Sequence, residues 1–295
     1  MGFRFGASAL ATHDIFHDFI RSEGKNEKMK KIMFGLAAAI AMVAAANIES
    51  SNVVGYTGKN VEAGKFYLVG VQFNKAGAAA GVIDMNDLIT LSSTITPGEY
   101  DTDFAGAPEI QVLNAAGTGY NKFYYISDAT DDNDDPLGFN CWADMEGYQL
   151  KDADKLAIGK GFWFKSAVAG SITVAGEVVA DADSVQNFPA NQYYIMANPF
   201  PKAFSLADVT TTGVTPGEYD TDFAGASEIQ VLNAAATGYD KYYYISDATD
   251  DNDDPVGYNC WADMEGYILN GKNQLEAGAS FWIKGNAAGT MGFTK

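Results

Sequence analysis

The sequence predicts an all-β protein of two tandem repeats, each a small antiparallel β-sandwich or barrel, and three observations carry that expectation. Residues 96–148 recur at 215–267, at an offset of 119 and with six differences. Self-similarity at a fixed offset means that one structural unit is used twice. From Val54 onward the apolar residues come in short runs rich in Val, Ile, Phe and Tyr, separated by Gly, Pro, Asn and Asp, which is the signature of strands and turns. Long stretches with a helical apolar period are absent.

The chain opens with a segment that does not belong to this pattern. Residues 29–46, MKKIMFGLAAAIAMVAAA, contain the parts of a secretory signal peptide: Lys30 and Lys31, the apolar run Ile32 to Val43, and the small residues Ala44 to Ala46. The apolar run is shorter than the roughly 20 residues needed to span a bilayer. Export with cleavage is therefore expected, with no membrane insertion afterwards. The mature protein would be secreted, extracellular or at the cell surface, the periplasm being a further compartment. Residues 1–28 precede the natural start of such a signal at Met29 and hold both histidines (His13, His17) and both arginines (Arg4, Arg21). They read as a non-native N-terminal extension, a cytoplasmic tail being the alternative.

Unit one is placed at 47–182 and unit two at 183–295, with the polar stretch 180–187 as the junction. Phe66 to Val69 follows Gly64-Lys65 and reads as a buried strand, matched by Asn191 to Phe200. Pro199 cannot donate to a ladder, so the second strand ends there or lies at an edge. Met85 to Ile89 and Leu206 to Val209 fit either one helical turn or a loop. Thr96-Pro97-Gly98 and Thr215-Pro216-Gly217 are turns. Glu109 to Asn114 is a strand with mixed faces, and Phe123 to Ile126 is a strong aromatic strand. Cys141-Trp142 opens another, ending near Tyr148. Gly turns then lead into Phe162 to Lys165 and Phe281 to Lys284, and the units close with Ser171 to Val179 and Thr290 to Thr294.

Charge narrows the partners. Removing residues 1–46 takes six of the 19 basic residues and four of the 38 acidic ones, leaving a net charge of −21 with lysine as the sole base. Such a surface repels nucleic acid and anionic membranes. Without histidine, the usual nucleophilic triads and zinc catalysis have no imidazole to work with. Cys141 and Cys260 occupy equivalent places and read as free thiols, because equivalent positions meet only across an approximate two-fold.

The acidic run Ser127 to Pro136, repeated as Ser246 to Pro255, is the strongest candidate site. Hard cations such as Ca²⁺ take six to eight oxygens from carboxylates, amides and carbonyls. Asp128, Asp131, Asn133 and Asp135, with Asp247, Asp250, Asn252 and Asp254, are the candidate ligands. Asp131, Asn133 and Asp135 have the spacing that begins an EF-hand loop. However, Pro136 stands where Gly belongs and Trp142 where the closing Glu belongs. From Glu99 to Glu146 there are eleven acids and one base, Lys122, a density that either faces solvent or is screened by cations. Asp101 and Asp103 in Tyr100 to Phe104 read as turn caps or further cation ligands. Tyr124, Tyr125, Trp142 and Trp163 would suit either a sugar-stacking platform or a core.

VGYTGKNVEAGKFYLVGVQF near the start, IGKGFWFK and SITVAGEVV together resemble a poorly characterised set of exported bacterial β-rich repeat proteins. In these a "VGY…AG" strand opens the mature chain and a "GxGFWF" strand precedes a "TxxGxV" strand. The resemblance implies export and a β-rich repeat fold, and it brings no catalytic residues. The expectation is a non-enzymatic structural or interaction protein, Ca²⁺-stabilised through its duplicated acidic loops and either self-associating or bound to surface glycan. A carbohydrate-binding module and a carboxylate-dependent glycoside hydrolase are the alternatives.

Overall fold

The computed structural model describes residues 54–74, 85–150, 156–178, 183–269 and 274–294. The expected extension, signal peptide and first few mature residues lie outside these, as do 180–182 of the expected junction. The described chain is all-β, as the sequence predicts.

In the first half the elements are β1 (Val54–Val61), β2 (Phe66–Gly70), β3 (Phe73–Asn74), a one-turn helix α1 (Met85–Leu88), β4 (Ile89–Leu91), β5 (Glu109–Leu113), β6 (Tyr120–Ile126), β7 (Cys141–Ala143), β8 (Gly161–Lys165) and β9 (Gly170–Val178). They form an antiparallel five-stranded sheet in the order β2-β8-β5-β6-β7 and a smaller sheet in which β9 pairs with β1, β3 and β4. The second half supplies β10 (Asp183–Phe188), β11 (Tyr193–Ala197), β12 (Thr210–Thr212), β13 (Ser227–Leu232), β14 (Tyr239–Ile245), β15 (Cys260–Ala262), β16 (Ser280–Lys284) and β17 (Gly289–Thr294). Their sheets run β11-β16-β13-β14-β15 and β10-β17-β12. The five-stranded order is the same in both halves.

Each half buries one core between its two sheets, the arrangement of a sandwich. In the first, Ile110, Trp142, Phe162 and Phe164 from the large sheet meet Ile172 and Val174 of β9. In the second, Ile229, Trp261, Phe281 and Ile283 meet Met291 and Phe293 of β17. Strand alternation sends these residues inward, and burying each large side chain contributes about 1.5–3 kcal/mol.

Several local expectations differ from what forms. The ambiguous segments are single turns, α-helical at Met85–Leu88 and 3₁₀ at Leu206–Asp208. β7 stops at Ala143 rather than near Tyr148, because Asp144 Oδ1 accepts from the N–H groups of Glu146 and Tyr148 and folds the chain into a turn. The expected junction overlaps β10 over 183–187, and β10 pairs along its length with β17. β11 ends at Ala197, two residues before Pro199.

The halves meet through reciprocal contacts. Gly70, at the end of β2, donates its N–H to Gly278 O at 3.0 Å, and the equivalent Ala197 donates to Gly159 O at 2.7 Å. A residue pair and its counterpart exchanging roles is the mark of an approximate two-fold. Trp163 and Trp282 meet at this seam, ring centroids 6.3 Å apart. Gly70 has no side chain because a Cβ there would meet Ala197 Cβ at 2.7 Å. The seam lies on the β2 and β11 side, whereas Cys141 and Cys260 sit on β7 and β15, the opposite edges of the two large sheets. The two cysteines accordingly form no disulfide with each other.

Candidate functional site

In the first half the acidic loop folds into a cap over the β6–β7 edge, as its counterpart does over the β14–β15 edge in the second. Its frame comes from three chain segments. Residues 98–107 make a 3₁₀ turn at Tyr100–Thr102, residues 127–140 form the acidic loop, and residues 144–148 form the turn after β7. Ile126, Ala129, Cys141 and Ala143 make a small core beneath it, with Phe104 and Leu137 packed against them. Trp142 alternates to the opposite face and is 1% exposed. The cysteine is therefore a small apolar residue sealing the cap.

Carboxylates hold this frame through the backbone. Asp128 accepts from the N–H groups of Tyr100 at 2.7 Å and Asp101 at 3.1 Å, capping the 3₁₀ turn from 28 residues away. Asp247 does the same for Tyr219 and Asp220. Asp131 Oδ1 accepts from the N–H groups of Asn133 and Asp135, and Asp250 Oδ1 from those of Asn252 and Asp254. The one-three-five spacing is thus a turn in which the first residue's side chain gathers the next two backbones. The Asn252 and Asp254 N–H groups hold the Asp250 carboxyl below the usual carboxylate range. Asp134 and Asp253 adopt left-handed backbone conformations, φ 61° in each, and each accepts from a tyrosine hydroxyl, Tyr148 and Tyr267, at 2.7 Å. Those bonds push both tyrosines above their ordinary pKa.

Of the eight candidate ligands, Asp128 and Asp247 bind the 3₁₀ turns, and Asp131 and Asp250 bind their own loops. Asn133, Asp135, Asn252 and Asp254 contribute backbone N–H groups to those loops. Among the described residues no group of three or more His, Cys, Asp or Glu side chains is placed to hold a metal ion. Asp103, Asp144 and Tyr148 complete the first cap, with Asp103 closing the 3₁₀ turn at φ 56°. The contribution of Tyr148 has no local sequence signal, since its partner Asp134 lies fourteen residues earlier.

The four aromatics considered for a stacking platform are spread over different surroundings. Trp142 is core, with Tyr125 tilted against it at 5.4 Å. Tyr124 stacks on Phe104 at 4.1 Å under the cap, and Trp163 sits at the seam. Exposed apolar side chains occur instead on the cap: Tyr100 at 44%, Phe139 at 53% and Met145 at 55%, with Tyr219, Tyr258 and Met264 as their counterparts. The Tyr100 ring lies flat enough on Gly147 that a Cβ there would meet it at 2.8 Å.

Two clefts lie at the seam. Among the described residues none of the side chains lining the first is a carboxylate, whereas Asp240 and Glu276 both line the second. No helix among the described residues is long and apolar enough to cross a membrane. No known protein family, curated protein or solved structure matches this chain.

Proposed function

We propose that this chain is an exported, non-enzymatic structural or interaction protein whose double-sandwich body presents two matching acidic caps. The observation that carries the reading is how the cap carboxylates are used. Asp128, Asp131 and Asp144, with Asp247, Asp250 and Asp263, each accept backbone N–H groups of the cap itself. Acids committed in this way build and stiffen a surface; a hydrolytic pair would instead face a bound substrate across a cleft. Two equal surfaces on one body also make it bivalent, which raises avidity for a repetitive partner without any new contact.

The partner proposed is another copy of the chain. Light scattering across a concentration series tests this, and a monomer at every concentration would remove it. Surface glycan is the second reading, favoured by Tyr100 and Phe139 exposed at the cap beside carboxylates that could accept sugar hydroxyls. A glycan array reads it out, with Tyr100→Ala/Tyr219→Ala as the variant expected to lose signal. Calcium enters as a proposal that rests on charge alone, eleven acids to one base between Glu99 and Glu146. Thermal melting with millimolar Ca²⁺ against chelator decides it.

A further inference from the structure

We propose that the first seam cleft is a binding site for a small organic anion with an apolar body, taken between the Lys160 ammonium and the side chains of Val112, Phe123 and Ile195. The cleft measures about 300 Å³ and draws its walls from both halves, a volume at the small end of ligand pockets. Its apolar floor is core that the seam leaves open: Phe123 is buried in the first half, and Ile195 belongs to the second.

Lys160 is unusual in this chain. It sits in the turn before β8, where burial pushes its ammonium below the ordinary lysine pKa. Its Nζ lies 4.2 Å from the centroid of the Tyr194 ring. Among the described residues no carboxylate pairs with it, although acids outnumber bases two to one over the chain. Among the described residues the remaining polar side chains of the lining are the neutral amides of Asn114 and Asn121 and the Tyr194 hydroxyl. A desolvated cation beside an apolar wall, with donors and no competing carboxylate among the described residues, attracts an anion that carries its own apolar surface.

The second cleft provides an internal comparison. It also contains a lysine, Lys59, but that residue is exposed and its ammonium reaches Leu68 O at 3.4 Å. Asp240 stands where Asn121 stands in the first cleft, and Glu276 where Ala157 stands. Two carboxylates in the lining disfavour an anion, so the two clefts, lined by the equivalent segments 112–115 and 231–234, differ in the charge they accept.

The test uses the whole mature chain and the fluorescent anion 1-anilinonaphthalene-8-sulfonate at neutral pH. One site is expected, displaced by octanoate and not by octanol at equal concentration. Lys160→Gln is expected to weaken binding by about tenfold or more, and Lys59→Gln to leave it unchanged. Asn121→Asp should weaken it similarly. Since aspartate already occupies the equivalent position 240, that variant keeps the test decisive even if Lys160→Gln disturbs folding. No binding by the folded wild type would overturn the proposal, as would displacement by octanol as effective as by octanoate. So would loss in Lys59→Gln equal to that in Lys160→Gln, or wild-type affinity in Asn121→Asp.

Discussion

Replacing Asp128 with alanine deletes the acceptor for two backbone N–H groups, those of Tyr100 at 2.7 Å and Asp101 at 3.1 Å. Loss of a side-chain cap costs roughly 0.5–2 kcal/mol. Both donors lie at an exposed rim where water replaces part of the lost interaction, which places the cost near the middle, at about 1 kcal/mol. For a chain of this size that corresponds to a melting temperature lower by about 2–4 °C. Asp128→Asn keeps one acceptor oxygen and should lose about half as much. The double variant Asp128→Ala/Asp247→Ala should lose about twice as much, because the two caps share no partner. Differential scanning calorimetry, run once in chelator and once in millimolar Ca²⁺, separates the roles open to this carboxylate. A cap gives the same deficit in both buffers. A deficit that appears only with calcium would refute the capping account and make Asp128 a ligand.

The caps should also set the pH limits of stability. The Asp250 carboxyl is held below its ordinary pKa by the N–H groups of Asn252 and Asp254, so its contribution is present above the usual carboxylate range and lost as pH falls through the depressed folded value. Tyr148 and Tyr267 are raised by their bonds to Asp134 and Asp253, so theirs is complete below the ordinary tyrosine pKa and lost as pH rises through the elevated one. Asp250→Asn should flatten the acid limb of a melting-temperature profile, and Tyr148→Phe/Tyr267→Phe the alkaline limb. The buried tryptophans supply another comparison: Trp261 Nε1 donates to Thr211 Oγ1 at 2.9 Å, whereas buried Trp142 Nε1 finds no acceptor among the described residues. Thr211→Val should therefore cost about 1–3 kcal/mol in urea unfolding, and Trp261→Phe should cost more than Trp142→Phe; equal costs would count against the hydrogen bond. At the seam, Gly70→Val forces a branched side chain onto Ala197 and should cost about 1–3 kcal/mol by overpacking. Calorimetry should show the single transition lowered or split in two, and an unchanged trace would mean that the halves do not depend on this contact.

How much could be read beforehand depended on whether a residue's partner was local. Phe66 to Val69 and Phe162 to Phe164 announce themselves because Gly turns bound runs of aromatic and β-branched residues that only a strand interior buries. β10 does not, since Asp183 to Phe188 is mostly polar and its Val185 is 66% exposed. It is a strand because β17 offers it a ladder, at a sheet edge where one side stays wet. β4 and β12, three residues each, likewise owe their existence to a partner some eighty residues away. The same limit governs the caps. That Asp131 gathers Asn133 and Asp135 follows from short spacing, and the EF-hand-like pattern is the trace it leaves in sequence. Asp128 reaching Tyr100, or Asp134 reaching Tyr148, depends on how β6 and β7 bring loops together. The clefts were further still from view, because each needs walls from both halves.

The six differences between the two 53-residue blocks follow the same division between local and distant surroundings. Leu137/Val256 packs in the small core beneath its own cap, and Phe139/Tyr258 faces solvent. Pro108/Ser227 tracks a neighbour: the Ser227 hydroxyl bonds Asn286, and the corresponding place in the first half is Ala167. The other three fall where a block meets the opposite half or its clefts. Gly117 lies against Gln192, while its counterpart Ala236 packs on the first half's core and lines the second cleft. Asn121 and Asp240 line different clefts, and Phe123 lines the first cleft where Tyr242 packs in the second half's core. Among the described residues the contacts that build a cap come from its own half, so the same residues build it twice. The seam joins parts that are not identical, since Lys160 has Ala279 as its counterpart. Divergence is therefore concentrated where the approximate two-fold fails, and that is where the clefts acquire different charge.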